Sequence, residues 1–204
     1  EKDLKKAEEW GIKALELESD QNNALVPYFL ATEIYKPQKR WEEMAEMLDE
    51  AMRRNPEQKL EKPIILDNDN ILLTIAQGVK AYREEVWTII YNQAIEYMQQ
   101  DNIEKSKILS DEKVLAQLNL CLKVDSSRIE AYNTIVAYYA SNNNFKMAQE
   151  YVQKGIDVND SSSILYEMGG KLLLQEFQLS KDNIDLLHQA EQMYLKAMHL
   201  TDDT

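Results

Sequence analysis

Apolar residues recur along most of this chain at alternating spacings of three and four. Residues 129–141 show the pattern clearly, with Tyr132 and Ile135 among the apolar positions of one helical face. Three asparagines at 142–144 then interrupt it, and asparagine favours turns and tolerates left-handed backbone. The helical spacing resumes over 145–158. The pattern predicts two amphipathic helices joined by a short turn, which is a helical hairpin.

Pairs of small residues repeat on the same pattern. The two members of each pair are seven residues apart, which is about two helical turns, so they lie on one face of a helix. Small side chains on one face allow a neighbouring helix to approach closely. The pairs are Ala7 and Ala14, Met44 and Ala51, Val114 and Cys121, Ala148 and Gly155, and Ala190 and Ala197.

These features resemble the tetratricopeptide repeat, a helical hairpin of about 34 residues with a W-x2-L-G-x2-Y and A-x3-F pattern. The match without insertion is Tyr132-x2-Ile135-Val136-x2-Tyr139 followed by Ala148-x3-Val152-x2-Gly155. The repeat at 24–57 needs one extra residue in the turn 36–40, and the last repeat needs extra residues over about 176–185. The expected organisation is a half repeat at 1–20, repeats at 24–57, 71–125, 129–160 and 162–204, and an insertion at 58–70.

The resemblance implies the fold class. It is all-α, a right-handed superhelical solenoid of antiparallel hairpins with about nine helices. In such arrays the first helix of each hairpin lines a concave groove. Both ends of the sequence interrupt a repeat, so we expect a segment of a longer chain.

Residues 57–86 depart from the repeat. A proline within 62–69 disfavours helix at the residue before it, so this stretch is expected to be non-helical. Asp69 or Asn70 would then cap one long helix over 71–100. The alternative is an additional hairpin with a break near residues 83–85.

Composition narrows the function classes. The 204 residues are 44% hydrophobic and 29% charged, with five glycines and four prolines, too few turn-forming residues for a typical all-β fold. The net charge of −13 disfavours nucleic acid and anionic membranes as partners. No apolar run reaches about 18 residues and no secretory signal is recognisable, so membrane insertion is not expected. The compartment is left open between cytoplasm and periplasm.

Candidate reactive residues do not form a catalytic pattern. His188 and His199 are eleven residues apart on one predicted helix, about 16 Å, too far to share a metal ion. Cys121 occupies a small-residue position and is expected to be a buried hydrophobe. The stretch 67–70 begins like a calcium loop but lacks the glycine and glutamate that follow in one, so a helix cap is favoured. We therefore expect no enzyme activity, no cofactor and no metal site.

The groove is the remaining candidate site. The resemblance implies that it binds a peptide or helix of a partner protein, and the acidic charge favours a basic, partly apolar partner. The alternative is a structural module that assembles through its open ends or the stretch 58–86, with a second copy as a candidate partner. The expected groove residues are Tyr28, Tyr35, Lys36, Tyr91, Asn92, Ile95, Met98, Asn133, Ala137 and Lys171.

Overall fold

A computed structural model describes residues 2–17, 21–65, 71–101, 107–180 and 183–202. Within these residues the chain is all-α apart from one pair of strands, which confirms the predicted fold class. The helices are α1 (Lys2–Leu15), α2 (Leu25–Phe29), α3 (Trp41–Arg54), α4 (Ile75–Asp101), α5 (Lys107–Val124), α6 (Ile129–Ser141), α7 (Phe145–Val158), α8 (Ser163–Ser180) and α9 (Ile184–Asp202). The strands are β1 (Lys59–Ile65) and β2 (Ile71–Thr74). No described helix is long and apolar enough to cross a membrane.

The chain forms two compact units. The first comprises Glu1–Asn92 with Lys123–Asp125, and the second comprises Gln93–Leu122 with Ser126–Thr204. Each unit has its own buried aliphatic side chains, which include Leu30, Ile34 and Leu48 in the first and Leu118, Ile135 and Leu165 in the second.

In the first unit α1 and α3 both pack against α2 and against the segment Leu30–Tyr35 that continues it. Gly11 of α1 lies so close that a Cβ there would come within 2.6 Å of a Leu30 methyl group. The buried guanidinium of Arg54 ties the two outer helices together, because it pairs with Glu50 at 2.7 Å and donates to the Leu15 carbonyl at the end of α1. The half repeat at the start of the sequence is therefore anchored through Gly11 and Leu15.

The helix that begins with α2 changes its hydrogen-bonding pattern. Residues Leu30–Tyr35 form a π-helical segment and Lys36–Gln38 a 3₁₀ turn. The Lys36 amide donates to Ala31 and the Arg40 amide to Tyr35, both five residues back. Pro37 lacks an amide hydrogen, and its ring would clash with the carbonyl of Glu33 in a regular α-helix. The wider turn thus holds the extra residue that this repeat contains.

The insertion is an antiparallel ribbon. Ile64 pairs with Leu72 and Ile65 with Ile71. This confirms the expected non-helical stretch but corrects the start of the long helix, which begins at Ile75 and not at residue 71. The apolar run at 71–74 fits a strand as well as a helix, and pairing with β1 decides between them. The expected cap at Asp69 or Asn70 lies outside the described residues.

The long helix is otherwise as predicted. α4 runs unbroken for 27 residues through 83–85, so the alternative of a hairpin broken there is wrong. In the last repeat the extra residues lengthen α8 to Ser180, where a longer turn had been expected.

The second unit contains two regular hairpins, α6 with α7 and α8 with α9. The turn between α6 and α7 is the predicted asparagine run. Asn143 has a left-handed backbone with φ of 56°, and the Asn144 side chain accepts a hydrogen bond from the Met147 amide at 3.3 Å. A side-chain acceptor at this position satisfies one of the free amides at the helix start.

Candidate protein-binding surface

Helix α7 fills the space behind α6 and α8. It packs against both, and α6 and α8 also contact each other. A Cβ at Gly155 would lie 2.9 Å from Leu165 of α8 and 3.2 Å from Tyr132 of α6. Gly155 and Ala148, the predicted small pair, are both buried. Small residues on α7 therefore allow two first helices of successive hairpins to lie side by side. These hairpins resemble tetratricopeptide repeats.

The faces of α6 and α8 that point away from α7 are open to solvent. Ala137, Ile164, Lys171 and Gln175 are exposed on them, and Met168 is half-buried. Of the expected groove residues, Asn133, Ala137 and Lys171 lie here, and Asn133 is half-buried. We call this the α6–α8 face; its open positions are Glu130, Asn133, Thr134, Ala137, Ala140, Ser141, Ile164, Glu167, Met168, Lys171, Leu174 and Gln175.

Polar groups on this face are partly engaged within their own helices. The Lys171 ammonium pairs with Glu167 at 2.7 Å, and this hydrogen bond raises the pKa of Lys171. The Thr134 hydroxyl donates to the Glu130 carbonyl at 2.9 Å. Asn133 is half-buried, and among the described residues its buried side-chain oxygen has no hydrogen-bond partner. The face therefore presents aliphatic and thioether surface between polar side chains.

A cavity of about 170 Å³ lies at one end of the α6–α8 face. Its lining comes from the end of α6, the start of α7 and the last turns of α8. Ala140 and Gln175 lie on the α6–α8 face, whereas Gln178 and Leu179 belong to the extension of α8, which the sequence did not predict. The lining residues are Ala140, Asn143, Phe145, Gln175, Gln178 and Leu179.

In the first unit two expected aromatic anchors are buried. Tyr28 is 9% exposed and its ring meets Tyr82 edge-on at 6.0 Å. Gly78 makes room for it, since a Cβ there would come within 2.3 Å of the Tyr28 hydroxyl. Tyr35 is 5% exposed and lies under the Arg40 guanidinium at 4.4 Å. The expectation that these two rings are open to the groove is corrected by this packing.

The π-helical segment explains part of the discrepancy. In a π-helix each amide bonds to the carbonyl five residues back, so the side chains after Phe29 point in directions different from those in a regular α-helix. A face deduced from α-helical spacing is therefore wrong for these residues. Phe29, next to the buried Tyr28, is 44% exposed. Pro37 was the sequence feature that could have indicated the irregular helix, because proline cannot donate the α-helical hydrogen bond.

The remaining expected residues of the first unit lie on the surface. Lys36 pairs with Glu85 at 2.6 Å and its ammonium lies 4.4 Å from the centre of the Tyr82 ring. Burial, followed by nearby carboxylates, raises the pKa of Tyr82. Tyr91 is half-buried and stacks on Trp87 with ring centres 4.6 Å apart, and Asn92 is exposed. Lys36 is therefore already paired with a carboxylate.

Two expected residues on α4 belong to the second unit. Ile95 and Met98 are both half-buried. They offer apolar surface on the last turns of that helix.

The candidate reactive residues have ordinary surroundings. Burial raises the pKa of the Cys121 thiol to about 12, so it stays protonated and unreactive near neutral pH. His188 and His199 are both exposed on α9. Within the described residues no three His, Cys, Asp or Glu side chains are grouped as metal ligands would be. The calcium-like stretch 67–70 lies outside the described residues.

Comparisons with known proteins give remote similarities only. No family model and no curated protein matches the sequence. The crystal structure of MamA is 14% identical and superposes with a TM-score of 0.45, covering 98% of this chain and 90% of that one. A second MamA crystal structure is 16% identical, with a TM-score of 0.44 and coverage of 98% and 84%.

A third solved structure is that of YrrB, described as a TPR protein with an unusual peptide-binding site. It is 14% identical, with a TM-score of 0.37 and coverage of 98% of this chain and 84% of that one. The hairpins of this chain are therefore identified from its own helix-to-helix contacts.

Proposed function

We propose that the chain is a non-catalytic scaffold that binds a segment of a partner protein on the α6–α8 face. The observation that carries the proposal is the pairing of α6 with α8 in front of α7, which leaves one side of both helices uncovered. Two parallel rows of small, aliphatic and amide side chains form a shallow channel suited to an extended peptide or an amphipathic helix.

The cavity at the end of the face supplies an anchor point. Its lining includes the apolar side chains of Phe145 and Leu179 and the amide groups of Gln175 and Gln178. Binding energy concentrates in a few side chains that enter such pockets. A partner segment would place one aliphatic or aromatic side chain in the cavity and run along the channel past Ala137.

Charge indicates the kind of segment. Glu130 and Glu167 are exposed on the face, and the ammonium of Lys171 is paired with Glu167. The whole chain carries a net charge of −13. This field speeds the encounter with cationic partners, an effect that weakens as salt rises. The proposed ligand is therefore a basic, partly apolar protein segment bound at about micromolar strength, about −8 kcal/mol.

A selection experiment tests the proposal with a defined probe. Random 16-residue peptides displayed on phage are selected against the 204-residue chain, and the enriched sequences are synthesised and titrated by fluorescence anisotropy. Ala137→Arg puts a long cation in the middle of the channel. Ala116→Arg is the matched control, because Ala116 is an exposed alanine in the middle of α5.

The expected result is that basic, partly apolar peptides are enriched and that Ala137→Arg weakens them about tenfold, or about 1.4 kcal/mol. Ala116→Arg should leave the affinity unchanged. Enrichment of acidic peptides would refute the partner chemistry, and equal effects of the two variants would refute the location.

The second candidate function is structural assembly through the insertion. The observation that favours it is the side of the β1–β2 ribbon that carries Ile65, Ile71 and Leu73, all three exposed. Grouped exposed aliphatic residues are typical of interaction surfaces. Ile71→Lys would disrupt assemblies formed there, as sedimentation velocity would show, without changing peptide binding at the α6–α8 face.

A further inference from the structure

Helix α9 carries a seam of exposed side chains that no other described element covers. Its inner side packs on α8, where Leu186 and Ala190 join Leu173 in a buried cluster. On a different side, five residues follow one another at spacings of four and three, and all are exposed. They are Ile184, His188, Glu191, Leu195 and Met198. Their apolar members are 65%, 45% and 60% exposed for Ile184, Leu195 and Met198.

Spacings of four and three place side chains in one line along a helix, as in the seam along which two helices pack. A seam covered only by solvent would leave these three apolar side chains without a partner. The two polar residues in the middle of the seam limit what can cover it. An occupant that covers the seam is expected to place hydrogen-bonding groups opposite His188 and Glu191.

A second copy of the same seam, turned through 180°, meets that requirement. If a second α9 lies antiparallel with the two-fold axis between residues 189 and 190, His188 faces Glu191 of the second copy, and Glu191 faces its His188. The same axis puts Ile184 opposite Leu195 of the second copy, and Leu195 opposite its Ile184. One axis thus matches the polar pair and one apolar pair together, whereas the level of Met198 falls before the start of the second α9 at Ile184.

Charges beside the seam agree with the same axis. Asp185 and Lys196 are both exposed on one flank of α9. In the antiparallel arrangement Asp185 of one copy lies along the helix within about 3 Å, or two residues, of the level of Lys196 in the other. Opposite charges therefore meet on the flank as well as in the seam. A self-complementary patch of this kind is what an isologous two-fold interface requires.

We infer that α9 is a homodimerisation helix, and that its occupant is the α9 of a second copy packed antiparallel, with paired contacts between His188 and Glu191. This interface is independent of the α6–α8 face and does not rest on the proposed peptide binding. One helix pair buries less surface than the roughly 1,200 Å² of a stable interface, so the dimer is weak, with a Kd of about 100 µM.

Sedimentation equilibrium of the 204-residue chain and its variants tests the inference at about 0.15 M salt, where the long-range repulsion between acidic copies is screened. His188→Glu places like charges opposite each other at two symmetric points. The double variant His188→Glu with Glu191→Lys restores opposite charges in reversed order. His199→Glu is the matched control, since it changes another exposed histidine of α9 whose two-fold counterpart falls outside this helix.

The wild-type chain should dimerise weakly, and His188→Glu should raise the dissociation constant about tenfold. The double variant should recover affinity to within about threefold of wild type, and His199→Glu should match wild type. Circular dichroism confirms that each variant folds. A wild-type chain that stays monomeric at about 1 mM overturns the inference. So does a dimer that responds equally to both histidine variants, or one that the charge reversal fails to restore.

Discussion

The segment from Leu25 to Gln38 and the helix α6 are first helices of two hairpins, yet they differ in structure. α6 is a regular α-helix that buries Tyr132, Ile135 and Val136 at the predicted spacing. The other segment begins as α2, widens into a π-helix and ends in a 3₁₀ turn. It buries both tyrosines that were expected to be open. The comparison shows that a hydrophobic pattern identifies faces only where the hydrogen-bond ladder is regular.

The largest expected effects test whether the two first helices are packed equally well. Ile135 of α6 and Ile34 of the π-helical segment are both fully buried. Removal of such a side chain to alanine costs about 2–5 kcal/mol through lost burial and the cavity that remains. Urea denaturation of Ile135→Ala and Ile34→Ala should show losses of that size for both. Ile89→Ala, at an exposed position of α4, serves as the control and should cost far less.

If Ile34→Ala cost no more than Ile89→Ala, the π-helical segment would be loosely packed. The expectation that the two first helices are equally well packed would then be wrong.

A smaller effect is expected where each unit depends on a close glycine contact. In the first unit a Cβ at Gly78 would meet the Tyr28 ring, and in the second a Cβ at Gly155 would meet Leu165. Gly78→Ala and Gly155→Ala should each lower the free energy of unfolding by no more than about 1–2 kcal/mol, because an overpacking cost of about 1–3 kcal/mol is offset by alanine's advantage of about 1 kcal/mol within a helix.

The Tyr28 hydroxyl makes the first of these tests specific. It is buried and has no hydrogen-bond partner among the described residues, so Tyr28→Phe alone should be nearly neutral. Combined with Gly78→Ala, it should recover at least about 0.5 kcal/mol in a double-mutant cycle. Strict additivity of the two changes would mean that the ring and the glycine are not in contact.

The proline explanation of the π-helical segment predicts a change of bonding with little change of stability. Pro37→Ala removes the ring that opposes α-helical geometry. The free energy of unfolding should change by less than about 1 kcal/mol, because the loss of proline's rigidity offsets the gain of a hydrogen bond. NMR couplings across hydrogen bonds should then show the Lys36 amide bonded to Thr32 in place of Ala31. An unchanged bond to Ala31 would assign the π-helix to the packing of the tyrosines.

The smallest effect concerns acid stability of the first unit. The guanidinium groups of Arg53 and Arg54 hold the pKa of Glu50 at about 2, below its ordinary value of 4.5. A lowered pKa stabilises the folded state above pH 4.5, and that contribution is lost as pH falls from about 4.5 to about 2. In Glu50→Gln the free energy of unfolding should therefore fall less steeply between about pH 4.5 and about pH 2 than in the wild type. Urea denaturation at several pH values measures this difference.

Glu46→Gln, at an exposed position of the same helix, is the matched control for this prediction. An identical pH profile for wild type and Glu50→Gln would contradict the strength of the pairing with the two arginines.

The sequence predicts most of the fold because the hairpins repeat one pattern. The asparagine turn, the small pair on α7 and the unbroken α4 all follow from local spacing and residue type. The start of α4 does not, because Ile71 and Leu72 suit a strand or a helix and only the pairing with β1 selects one. The π-helical segment likewise depends on one proline whose effect reaches back along the helix.

The candidate site was predictable to a lesser degree. Ala137 and Lys171 were assigned to open positions on the first helices and lie there. Tyr28 was assigned on the same reasoning, but Gly78 lies far from it in the sequence and admits its ring into the core. The cavity beside Leu179 depends on the length of α8, and the pattern did not reveal how the extra residues between the last two helices would be used.

Chemical-shift mapping by NMR shows directly whether a partner segment binds on the α6–α8 face. A peptide selected for binding is titrated into the isotope-labelled 204-residue chain, and the backbone amides that shift are assigned. The account predicts that the largest shifts fall on the α6–α8 face and its cavity, at Ala137, Lys171 and Gln175, with little change on α9 or the β1–β2 ribbon. Shifts concentrated on the ribbon or on α9, with the α6–α8 face unchanged, would contradict it.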